Sequence, residues 1–116
     1  MNSNDWNQIS KRPQMTVDEF EQHSRFLKWP LVTTYSKNLT LEFIRNNLGY
    51  FNKSWDEISR YQTLSESVME EFSDLINWPL VSRYQKMSED FINKHKFLVH
   101  WDNIEKYQNV SKDFLE

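Results

Sequence analysis

Three histidines, a set of regularly placed serines and several paired carboxylates are the side chains of this 116-residue chain that could do chemistry. Their spacing argues against each use. His23 and His95 lie six residues before a tryptophan, in a slot that Phe72 fills before Trp78. A slot that also takes phenylalanine is a packing slot. His100 directly precedes Trp101, as Asn77 and Ser54 precede theirs, so it belongs to a helix boundary. No histidine pair has helical ligand spacing with a carboxylate, which a zinc site on one helix requires. Ser65, Ser88 and Ser111, with Thr16 and Thr40 in matching places, read as helix caps rather than nucleophiles. There is no glycine-rich phosphate loop and no nucleophile elbow. Neighbouring carboxylates such as Glu70 and Glu71 read as solvated on a helix surface. The chain has no cysteine, which excludes thiolate chemistry and a disulfide framework. The expectation is a protein that is not an enzyme and holds neither cofactor nor metal.

Recognition is better served than catalysis. Arg60, Arg83 and Lys106 each fall five residues after a tryptophan, and Tyr61, Tyr84 and Tyr107 follow them. Basic residues interleaved with aromatics can hold an acidic protein surface or a single-stranded nucleic acid. A solvated face explains the same pattern. The candidate partner-binding set is Arg60, Tyr61, Arg83, Tyr84 and Lys106. The net charge of −3 disfavours nucleic acid, because phosphate binding calls for a basic excess. An acidic patch of Glu66, Glu70, Glu71 and Asp74 is the competing face. Gln62, Gln85 and Gln108 sit seven residues after their tryptophans, on the expected inner side of a helix. An unpaired amide there is costly. They form either a hydrogen-bond ladder to the neighbouring backbone or a polar groove that meets a ligand.

The elements that must position these residues are set by a repeat. Tryptophans at 6, 29, 55, 78 and 101 are spaced by 23, 26, 23 and 23 residues. A fixed period in this range marks a repeat architecture. Counting from each tryptophan, the third position is Ile9, Val32, Ile58, Val81 or Ile104, and the fourth is Ser10, Thr33, Ser59, Ser82 or Glu105. At 3.6 residues per turn these share a face with the indole. Pro30 and Pro79 suit a first helical turn, and Asp5, Ser54 and Asn77 could cap it. The hydroxyl residue later in each unit opens a second helix, and Thr16-Val17-Asp18-Glu19 fits a capping box. Helices of two turns are marginal alone and become stable when stacked. The fold class is therefore all-α: one repeat domain over residues 1–116, with short two-helix units of about 23 residues stacked as an α-solenoid. A compact, irregular helical bundle is the alternative. The Trp29 unit carries extra residues near Asn38 and Gly49, where a longer loop is expected. The scarcity of glycine agrees with helices rather than sheet. No apolar run approaches the length of a membrane helix, and MNSNDWNQIS lacks a signal core, so a cytoplasmic location without membrane contact is expected.

The pattern Trp-x-x-Ile-Ser-x-Tyr-Gln-x-Leu-Ser-x-x-Phe-Ile, clearest from Trp55 to Glu116, resembles short tandem helical repeats in proteins of large DNA viruses and bacteriophages. Glu105 stands in the place of the usual serine, and Val68-Met69 in that of Phe-Ile. The resemblance implies a viral or phage origin, a helical repeat fold and no known reaction. On it rests the expectation of a non-catalytic protein that binds and inhibits a host protein in the host cytoplasm, such as a nuclease complex of a defence system, in the manner of an anti-CRISPR. The alternative is a nucleic-acid-binding helical module using the basic and aromatic ridge.

Overall fold

The computed structural model describes residues 3–115, and it is all-α: among the described residues there are ten short α-helices and no strand. In chain order they are α1 (Ser3–Ser10), α2 (Val17–Gln22), α3 (Trp29–Tyr35), α4 (Leu41–Asn46), α5 (Trp55–Tyr61), α6 (Glu66–Glu71), α7 (Trp78–Tyr84), α8 (Glu89–Lys94), α9 (Trp101–Tyr107) and α10 (Lys112–Leu115). A 3-10 turn over Leu48–Phe51 stands between α4 and α5. The chain divides into two compact units, residues 1–58 and 59–116, and the division falls inside α5. Among the described residues no helix is long and apolar enough to cross a membrane.

Local chemistry explains where the helices start. The Thr16 hydroxyl accepts from Glu19 N while the Glu19 carboxylate accepts from Thr16 N, completing the expected capping box. Thr40, Ser65, Ser88 and Ser111 accept from the backbone N–H three residues on. Each satisfies a donor that a helix start leaves orphaned. Asn77 and His100 do the same for α7 and α9. Two expected caps fail. Asp5 lies inside α1 rather than ahead of it, and the Ser54 hydroxyl is buried without a hydrogen-bond partner.

In the first unit the core is an aromatic cluster. Phe20, Phe43 and Phe51 lie around Trp29, with ring centroids 5.1–6.1 Å from the indole. In the second, Met69, Val81, Ile92 and Ile104 are fully buried. The fourth-position hydroxyls act as joints. Ser10 Oγ donates to Trp6 O at 2.7 Å and accepts from Lys28 N at 2.8 Å. Ser59 Oγ accepts from Asn77 N at 2.9 Å and Ser82 Oγ from His100 N at 3.0 Å. Each ties one tryptophan helix to the start of the next. A second joint escaped the sequence reading: the Glu66 carboxylate accepts from Ser88 N, and Glu89 from Ser111 N. These last bonds also hold the Glu89 carboxyl below its ordinary pKa.

Not every tryptophan is buried as the shared face requires. Trp29, Trp55 and Trp78 are, but Trp101 is 41% exposed. Against its ring the four-residue α10 brings Phe114, at 6.2 Å. The histidine slots are packing slots, as expected. His23 lies against Trp6 at 5.3 Å, and His95 against Trp78 at 5.3 Å and Phe91 at 4.5 Å.

His95 also has a polar side. Its Nε2 is 3.3 Å from Glu70 Oε1, which accepts from Lys94 Nζ at 2.7 Å. The Lys94 bond and then the His95 bond hold the Glu70 carboxyl below its ordinary value of 4.5. A carboxylate with a depressed folded pKa contributes stability above its unfolded pKa and loses it as pH falls through the folded value. Glu70→Gln is therefore expected to lower the urea midpoint slightly at neutral pH and to match the parent chain once both are acidified well below the carboxylate range. A gap unchanged between neutral and acid pH would assign the effect to packing instead.

Candidate functional site

The ridge begins with how α5, α7 and α9 end. Each closes on a basic residue and a tyrosine: Arg60-Tyr61, Arg83-Tyr84 and Lys106-Tyr107. The next residue leaves the helix. Gln85 sits at φ −104°, ψ 149° and Gln108 at φ −93°, ψ 150°, both extended. Helical periodicity therefore does not carry these glutamines inward, because they lie beyond the last turn. The extended backbone does so. Gln85 Nε2 donates to Ser59 O and Gln62 O at 2.9 and 2.6 Å, and its Oε1 accepts from Leu64 N at 2.8 Å. Gln108 repeats the set on Ser82 O, Gln85 O and Met87 N, at 2.8, 2.6 and 3.1 Å. Gln85 and Gln108 form a backbone ladder rather than a ligand groove, and each fixes the end of its helix against the preceding one.

That anchoring places the exposed residues in register. The Arg60 guanidinium carbon is 5.0 Å from the Tyr61 ring centroid and 5.1 Å from that of Tyr84. Arg83 is 4.9 Å from Tyr84 and 4.8 Å from Tyr107. All four distances fall within cation–π range. Tyr61, Arg60, Tyr84, Arg83 and Tyr107 thus form one alternating row, and the rings remain 48%, 36% and 49% exposed. Lys106 is exposed at the same place on α9. Of the five sequence-derived residues, Arg60, Tyr61, Arg83 and Tyr84 are brought together, and Tyr107 joins them. Its signal was available, because it occupies the tyrosine position of its unit. At the matching position of α3 the residue is Thr34, whose hydroxyl donates to Pro30 O.

The competing acidic face is differently disposed. Glu66 and Glu70, with Ser88, Phe91 and Lys94, line a shallow cavity of about 380 Å³. Glu66 is spent on Ser88, Glu70 on Lys94 and His95. Carboxylates bonded to their own chain have less to offer a basic partner. Among the described residues no three His, Asp or Glu side chains are grouped to hold a metal ion. Compared with known proteins, the chain matches no family model, no curated protein and no solved structure.

Proposed function

We propose that this is a non-catalytic helical repeat protein, its units stacked as an α-solenoid, that binds an acidic segment of a protein partner along the Tyr61–Arg60–Tyr84–Arg83–Tyr107 row. The observation that carries the reading is the alternation itself, with each guanidinium close to two exposed tyrosine rings. Stacking on a ring orders an otherwise flexible arginine while leaving its N–H edge for bidentate bonding to a carboxylate. Ordering before binding lowers the entropy that association must overcome. Because the rings already have cations against them, they favour carboxylates at the guanidinium edges over bases stacked on the rings. Arginine and tyrosine are also frequent interface anchors. The resemblance to viral and phage repeats narrows the partner to a host protein, and inhibition of a nucleic-acid-processing defence complex is the form that the resemblance supports.

The test is binding of an acidic peptide and of a single-stranded oligonucleotide, followed by fluorescence polarisation. The reading expects the peptide to bind and the double variant Arg60→Glu, Arg83→Glu to abolish binding while the helical circular dichroism signal is kept. Wild-type affinity in the double variant removes this face from consideration. Tighter binding of the oligonucleotide, with affinity falling steeply as salt rises, replaces the reading with the nucleic-acid module.

A further inference from the structure

The Arg–Tyr row has an interval as well as a charge. Arg60 and Arg83 both approach the Tyr84 ring, with guanidinium carbons 5.1 and 4.9 Å from its centroid, so the two cations are at most about 10 Å apart. Packed neighbouring helices stand about 8–10 Å apart, and like charges repel, so the separation lies towards that limit. The bonds from Gln85 to Ser59 O and Gln62 O hold the end of α7 against the end of α5, which builds the interval into the fold. A bound segment meets both guanidinium groups only if its carboxylates return to one face at a similar distance. Along a β-strand one face recurs roughly every 6.6 Å, and two intervals overshoot at about 13 Å. A polyproline II segment, with three residues per turn and a rise of about 3.1 Å, returns every ~9.3 Å. An α-helix returns after seven residues, at roughly 10.5 Å. The strand misses the interval, and the other two meet it.

We propose that the acidic segment bound by this row is proline-rich, in the polyproline II conformation, with an acidic residue at every third position; this rests on the reading of the row given above. The tyrosines decide between polyproline and helix. A helix docks by laying an apolar face into a hydrophobic groove, whereas here a guanidinium stands between each ring and the next. Tyr61, Tyr84 and Tyr107 are instead separate aromatic platforms, each more than a third exposed. Exposed aromatic rings are what polyproline segments are recognised by. Glutamates three residues apart would meet Arg60 and Arg83, the prolines between them would pass over Tyr84, and those outside would reach Tyr61 and Tyr107. Such a segment has no internal hydrogen bonds and needs no sheet edge, and among the described residues there is no strand to supply one. Its conformation is set before binding, as that of the stacked arginines is, so little order has to be created in either molecule.

The experiment is fluorescence polarisation of the full chain with four labelled peptides. The first repeats Pro-Pro-Glu. The second has the same composition with its glutamates gathered at one end. The third replaces every proline of the first by alanine. The fourth is an alanine-rich helix former with glutamates seven residues apart. The first is expected to bind tightest, with the second and third weaker on the order of tenfold through lost register and lost preorganisation. Arg60→Glu with Arg83→Glu should abolish binding of the first. Equal binding of the gathered-glutamate or the alanine peptide overturns the proposal and leaves the acidic-segment reading standing. Tighter binding of the helical peptide overturns it in favour of a helical partner. Failure of every acidic peptide to bind overturns the proposal and the reading beneath it together.

Discussion

Trp78→Ala is expected to cost about 3–5 kcal/mol, a large-to-small change at a closed site. The Trp78 ring is 8% exposed and lies 6.2 Å from Phe91 and 5.3 Å from His95. Its Nε1 donates to Ser73 O at 3.0 Å, so truncation also removes a bond that joins α7 to the chain leading into it. A domain of this size is commonly stable by about 5–15 kcal/mol, so one substitution would remove a large part of the total. Arg83→Ala is the control. The exposed guanidinium touches Tyr84 and Tyr107, and its loss should cost about 1 kcal/mol or less. Urea unfolding separates the two. Equal midpoint shifts would mean that the assignment of inner and outer faces is wrong.

The same residues show how far the sequence could be read. Hydroxyl caps were legible because their requirement is local: Thr16, Thr40, Ser65, Ser88 and Ser111 each need only the N–H three residues on. The buried third positions were legible because Val32, Ile58, Val81 and Ile104 recur at one offset from tryptophan, and all are essentially inaccessible. The Arg–Tyr row was legible as adjacency in a repeat, although its interlocking was not. That Arg60 meets Tyr84 depends on how far apart two helix ends are held, which no single unit specifies.

Features outside the repeat were hidden. The residues near Gly49 read as a loop because extra length is what a periodic pattern registers. The pairing of Tyr50 with Trp29 is a tertiary choice. Ser54 was misread for a related reason. It has the right type and place for a cap, but the preceding 3-10 turn leaves its hydroxyl buried and unpartnered instead. From sequence, Glu66 reads as part of an acidic face and Glu89 as a charge favourable to a helix's first turn. Their bonds to Ser88 and Ser111, 22 residues on, required the neighbouring unit.

Gln85→Leu should destabilise the chain by roughly 2–4 kcal/mol, although it replaces an amide by an apolar group of similar size in a buried place. Gln85 is 5% exposed and serves three backbone groups at once, the carbonyls of Ser59 and Gln62 and the N–H of Leu64. Leucine fills the space but leaves these groups without their side-chain partner and without water. A buried donor or acceptor stripped of one partner bears its desolvation cost, whereas removing both partners would be nearly neutral. The hydrophobic gain from leucine works the other way, which is why the expected loss is smaller than three separate penalties. The position also terminates α7, so the end of that helix should loosen, and hydrogen exchange at the Leu64 amide should quicken with it. The near-isosteric substitution Gln85→Glu tests the same joint. It keeps an acceptor for Leu64 but loses the donors to both carbonyls, and it adds a buried charge, so it should be at least as harmful as leucine. Retained stability in either variant would show that the glutamine ladder is dispensable. The helices would then be held by their apolar faces and the serine joints alone.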